Sequence, residues 1–198
     1  MRVAIGGVLF ASALGMASAA NAAVTVTGAF DGTEATMDGR LFRDGTASTC
    51  SPTKAYPGIS GAGSARAYRT DTVYNNGPAQ CVTVAFDVGT CGTNVHLVAY
   101  AGSFNPANLS QNYIGDVGSS SSQSFSFTAP ADSAIVIMAQ DNNGVAARCT
   151  YSFTSTELFP TPVLSPTAIP TLSQWGMIIM SAMLGLAAFG AIRRNDRS

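Results

Sequence analysis

Apolar and polar residues alternate with a period of two along the middle of the chain. In "CVTVAFDV" (81–88), Val82, Val84, Phe86 and Val88 share one face, the pattern of a strand with one side against a core. Phe125 and Phe127 share a face in "SFSFTAP" (124–130), as do Cys149, Tyr151 and Phe153 in "RCTYSFTS" (148–155). "AVTVTG" (23–28), "ARAYRTDTVYN" (65–75) and "NVHLVAYAG" (94–102) extend the set. "AIVIMAQD" (134–141) is almost continuously apolar, which predicts a central strand buried on both faces. The turn Gly-Thr-Cys-Gly (89–92) predicts a hairpin between 81–88 and 94–102, and "DNNG" (141–144) predicts one between 134–141 and 148–155.

No part of this region has a sustained helical period. The expected fold class is therefore all-β: an antiparallel β-sandwich, jelly-roll-like, spanning 23–158. An immunoglobulin-like sandwich is the main rival, but its core tryptophan is missing, since Trp175 lies in the tail. Two stretches, 31–63 and 103–123, read as long irregular loops. Such loops on a β-scaffold often carry function.

The two ends follow different rules. At the N-terminus, Arg2 precedes a short apolar run, and Ala20-Asn21-Ala22 offers a cleavage site, with Ala17-Ser18-Ala19 as an alternative. Residues 1–22 are thus expected to be a signal peptide. After the body, "FPTPVLSPTAIPTL" carries Pro160, Pro162, Pro166 and Pro170. Proline fixes φ and lacks a donor, so residues 159–168 predict an extended stalk. Residues 172–192 hold no charge and end at Arg193 and Arg194. That length predicts a single transmembrane helix, with the arginines cytoplasmic and Trp175 at the outer interface. The body would then lie outside the inner membrane.

The tail resembles the IPTL-CTERM sorting domain of Gram-negative bacteria, which is similar to PEP-CTERM signals. The matching residues are Ile169, Pro170, Thr171, Leu172, Trp175 and Gly176, closed by Arg193 and Arg194. Gln174 departs from the acidic residue common there. The resemblance covers 169–198 and implies an exosortase-like membrane peptidase as partner, with delivery to the cell surface or exterior. In the body, "FDGTE", "RLFRDGTASTC" and "FNPANLSQNYIGDVGSS" resemble exported bacterial β-sandwich modules. That likeness implies a fold and a location, not a ligand.

Export alters the reading of the cysteines. Cys50, Cys81, Cys91 and Cys149 are even in number, which predicts two disulfides in an oxidising compartment. Of the three possible pairings, Cys50–Cys81 with Cys91–Cys149 is favoured. The formal net charge of -1 gives no reason to expect a nucleic-acid partner.

Catalytic chemistry is weakly signed. The one histidine, His96, shares strand parity with Val98 and Tyr100 and reads as a satisfied strand residue. No G-x-S-x-G, H-E-x-x-H or P-loop is present. Asp31, Glu34, Asp38 and Asp44 bear oxygen ligands suited to Ca²⁺, yet Arg40 and Arg43 lie among them and the spacing is not that of an EF-hand. Solvated loop charges are the preferred reading, with no metal and no cofactor. Tyr56, Tyr68, Tyr74, Tyr100 and Tyr113 offer rings for sugar stacking. The leading expectation is a non-enzymatic surface, adhesion or matrix protein. The alternatives are a carbohydrate-binding module or carbohydrate-active enzyme, and a permanently anchored inner-membrane protein.

Overall fold

Period-two alternation becomes strands in two antiparallel sheets. The computed structural model describes residues 23–143, 148–162 and 176–186. The predicted signal peptide, most of the stalk and most of the tail lie outside these residues. The chain divides into two compact units, 1–162 and 163–198. In the first, the described residues form β1 (Val24–Phe30), β2 (Thr36–Leu41), β3 (Ile59–Asn75), β4 (Gln80–Asp87), β5 (Val95–Ala101), β6 (Tyr113–Asp116), β7 (Gln123–Ala129), β8 (Ser133–Asp141) and β9 (Cys149–Ser155).

One sheet has the order β1-β9-β4-β7 and the other β2-β3-β8-β5-β6. Val82, Val84 and Phe86 of β4, Phe125 and Phe127 of β7, and Tyr151 and Phe153 of β9 meet Leu97, Ala99, Ile135 and Ile137 of the second sheet in one buried cluster. The four-stranded sheet turns its other face to solvent through Thr25, Thr27, Thr83 and Thr150. The five-stranded sheet is covered on both sides. Val98, Tyr100, Val136 and Met138 form a second cluster under Leu109, Tyr56 and Phe104. This explains why β8 is apolar at nearly every position: it lies centrally, with a hydrophobic layer on each face.

Both predicted hairpins are corrected. Strands β4 and β5 lie in different sheets, as do β8 and β9. Their inward faces approach the core from opposite sides, so a tight turn within one sheet cannot join them. Instead a 3₁₀ segment, Gly89–Asn94, carries the chain from sheet to sheet. Gly89 has φ of 53°, and a Cβ there would lie 2.3 Å from the Thr150 carbonyl oxygen. That approach requires glycine.

The two expected irregular stretches are also corrected. The first contains β2 and the start of β3, and the second contains β6. The glycine-rich segment at 58–65 is mostly strand. β2 and β3 pair around a bulge between Asp38 and Arg40, with Gly39, Gly61 and Gly63 at positive φ. A bulge breaks the alternation that marks a strand in sequence.

The connection between β2 and β3, residues 42–58, forms a strap that closes an edge of the sandwich. Ser48 N–H donates to the Asp116 carbonyl of β6, and the Ser48 carbonyl accepts from Ser126 N–H of β7, each at 2.9 Å. Gly45 N–H donates to the Gly118 carbonyl at 3.0 Å. The strap thus occupies strand edges that would otherwise be open to another chain.

Candidate functional site

A buried polar node lies on the strap side of the five-stranded sheet. Alternation along β5 and β8 puts His96 and Gln140 on its loop-covered face, and both are fully buried. Gln140 Oε1 accepts from Leu41 N–H at 2.9 Å, which orients the amide. Its Nε2 therefore donates, to the Leu41 carbonyl and to His96 Nδ1, each at 3.1 Å. An amide nitrogen only donates, so His96 Nδ1 accepts and the neutral ring carries its proton on Nε2. That atom lies 3.3 Å from Asp116 Oδ1, without the alignment of a good hydrogen bond.

Asp116 is the hub of this node. Lys54 Nζ lies 2.9 Å from its Oδ2, the Tyr113 hydroxyl donates to the same oxygen, and Gly118 N–H donates to Oδ1 at 2.6 Å. Lys54 also pairs with the more exposed Asp44 at 2.7 Å. Burial raises the Asp116 carboxyl, but the nearby His96 ring and donation from Tyr113 and Lys54 outweigh it and hold the group below its ordinary value. Burial lowers the His96 imidazole, against a smaller opposing effect of Asp116. Burial and Asp116 together raise the Tyr113 phenol. The node joins β2, β5, β6, β8 and the strap without exposing His96 or Asp116 to a substrate. Its residues hold the fold.

The other sequence candidates separate in space. Asp31 and Glu34 cap their own turn, Asp38 accepts from Gly63 N–H, and Asp44 pairs with Lys54. Among the described residues, no three His, Cys, Asp or Glu side chains are grouped to hold a metal ion. Tyr100 is fully buried. Its ring lies 4.9 Å from Phe104 and 6.4 Å from Tyr113, while Tyr56 and Tyr113 are 5.5 Å apart. Tyr68 packs 5.1 Å from Phe104. These tyrosines seal the second hydrophobic layer. Tyr74 is elsewhere, its backbone bridged to Phe159.

The four cysteines form Cys50–Cys81 and Cys91–Cys149, with Cα separations of 5.7 and 4.8 Å. The first ties the strap to β4. The second ties the 3₁₀ crossover to β9.

Three arginines gather at the end of the sandwich near Asn142. Arg66 Nη1 donates to the Asn142 carbonyl at 2.8 Å. Arg43 Nη1 and Asn142 Nδ2 both donate to Ser120 Oγ, at 3.0 and 2.6 Å. Arg40 Nη1 donates to the Leu41 carbonyl at 3.1 Å. Burial, then the positive charges of Arg43 and Arg66, lower the Arg40 guanidinium. Among the described residues none of the three has a carboxylate partner within salt-bridge distance. In the sequence, Arg40 and Arg43 stand only as neighbours of carboxylates. Their convergence with Arg66 needs the β2–β3 pairing.

In the tail, Gly176 opens a helix at 176–186. No described helix is long and apolar enough to cross a membrane. Ile169, Pro170, Thr171, Leu172, Trp175, Arg193 and Arg194 lie outside the described residues, as do both ends of the predicted 172–192 span. Residues 167–194 match the IPTL-CTERM motif. No curated protein matches the chain, and no solved structure does. The motif points to an exported protein handled by an exosortase-like membrane enzyme. Two disulfides fit an exported or cell-surface setting.

Proposed function

We infer that this is an envelope protein whose sandwich works outside the cell and whose tail acts as an address within the bilayer. Residues 1–22 direct export. The 172–192 segment spans the inner membrane, with Arg193 and Arg194 cytoplasmic and the body on the periplasmic side. The Ile169–Leu172 motif then sits at the outer interface, within reach of an exosortase-like peptidase, and processing sends the body to the surface or exterior. The observation that carries this reading is the match at 167–194, placed behind a disulfide-bonded β-body.

The body supports a non-enzymatic surface, adhesion or matrix role. Its one histidine is sealed between Gln140 and Asp116 and is 0% exposed, so it offers no base to a substrate. The strand order β1-β9-β4-β7 against β3-β8-β5-β6, with β2 added at one edge, supports the jelly-roll assignment.

Mass spectrometry of the mature protein from each cell fraction tests the reading. The expected product begins near Ala23, lacks the C-terminal helix and is found outside the inner membrane. An intact C-terminus held in the membrane fraction would instead make the protein a permanent anchor.

A further inference from the structure

A lysine and an aspartate meet in direct contact inside the body. The Lys54 side chain is 9% exposed and the Asp116 side chain is fully buried. Lys54 Nζ lies 3.0 Å from Asp116 Oδ1 and 2.9 Å from Oδ2. A nitrogen nearly equidistant from both oxygens faces the carbon between them, at about 3 Å, a separation from which attack can proceed. The strap holds the amine and β6 holds the carboxyl, 62 positions further along the chain.

The groups around Asp116 match what amide formation at its carboxyl requires. Gly118 N–H donates to Oδ1 at 2.6 Å. His96 Nε2, which bears the ring proton, lies 3.3 Å from the same oxygen. Both N–H groups face the negative charge that builds on Oδ1 when a nitrogen adds to the carbon. The Tyr113 hydroxyl donates to Oδ2, the oxygen that must then leave. Asp44 also touches Lys54, but its side chain is 32% exposed, so water has access to reverse any bond made there.

We propose that Lys54 and Asp116 condense into an intramolecular isopeptide bond. A proton passes from the Nζ ammonium to Oδ2 across their contact, leaving an amine and an acid. Nζ then adds to Cγ, and the charge that develops on Oδ1 rests against Gly118 and His96. A second proton leaves the nitrogen and reaches Oδ2 by way of the Tyr113 hydroxyl. The Cγ–Oδ2 bond breaks and Oδ2 departs as water. One ammonium and one carboxylate become one amide and one water, with no other reactant. The fold supplies the proximity, and burial keeps water from reversing the step. The product fastens the strap to the five-stranded sheet, as Cys50–Cys81 fastens it to β4. Until the bond forms the two groups act as an ion pair, and chain assayed directly after refolding reports that state. The inference concerns the body and is independent of how the tail is processed.

Mass spectrometry of the full chain, purified in detergent and reduced, tests this. The parent should be lighter by one water than its sequence requires. Lys54→Arg, which keeps the charge without a free amine, should have its full mass. Trypsin should fail to cut the denatured parent after Lys54, and the digest should hold a branched peptide joining Lys54 to Asp116. Tyr113→Phe keeps the ring and removes the proton carrier. In chain refolded from inclusion bodies, it should lose water at least about tenfold more slowly than the parent. The proposal is overturned if the folded parent keeps its full mass and is cut after Lys54. It is overturned equally if the branch joins Lys54 to Asp44, or if Tyr113→Phe forms the bond as fast as the parent. The mass of the parent decides the matter even where a variant does not fold.

Discussion

Lys54 meets two carboxylates in different surroundings. Asp116 is fully buried, while the Asp44 side chain is 32% exposed. Removing one member of a buried pair leaves a charge without compensation, whereas water screens an exposed one. Lys54→Met should therefore cost about 3 kcal/mol, and Asp44→Asn less than about 1 kcal/mol. Urea unfolding of both variants checks the contrast; equal costs would deny the node its role. His96 adds a pH dependence. Its folded value lies below the ordinary one, so the unfolded chain takes up the proton first as pH falls. Stability from the neutral ring is complete above the ordinary histidine value near ~6.5 and is lost as pH drops toward the folded value. Because the chain has one histidine, His96→Gln should flatten that part of the pH–stability curve. Asp116, held low, contributes above the ordinary carboxylate range and loses its contribution as pH falls through its folded value.

The strap and the crossover decide how strands become a sandwich. Gly118 has φ of 75°, and a Cβ there would lie 2.3 Å from the Thr46 carbonyl group. Gly118→Ala should therefore cost about 2–3 kcal/mol, by backbone strain and by displacing the strap. The midpoint of denaturant unfolding reads this directly. Replacing Cys91 and Cys149 together by Ser should cost about 2–4 kcal/mol, since the bridge closes a loop with a sequence separation of 58. Native-state proteolysis should then open the connection between β4 and β5 before the core.

The second unit carries a different kind of information. Its described helical residues, 176–186, are apolar, and a helix that is apolar all round needs lipid or protein to cover it. Deleting 167–198 should leave the unfolding midpoint of the body unaltered, because the two buried clusters and both disulfides lie between Val24 and Leu158. The destination of the product should change. Fractionation of cells making the shortened chain tests both statements; unchanged delivery would remove the sorting role from the tail.

Alternation alone determined the β class, the inward faces of β4, β7 and β9, and the central place of β8, because a pleated strand repeats every two residues whatever its partner. The even cysteine count and the tail motif were likewise legible, since each is a local chemical pattern. Strands β2 and β6 were not. One holds a bulge with glycines, and the other is only Tyr113–Asp116, too short for a period to show. The two expected hairpins failed because a local turn does not say which sheet the next strand joins. The joining of His96, Gln140, Lys54 and Asp116, and of Arg43 with Ser120, belongs to tertiary structure alone. These residues lie 20 or more positions apart along the chain, and only sheet order and the strap bring their side chains together.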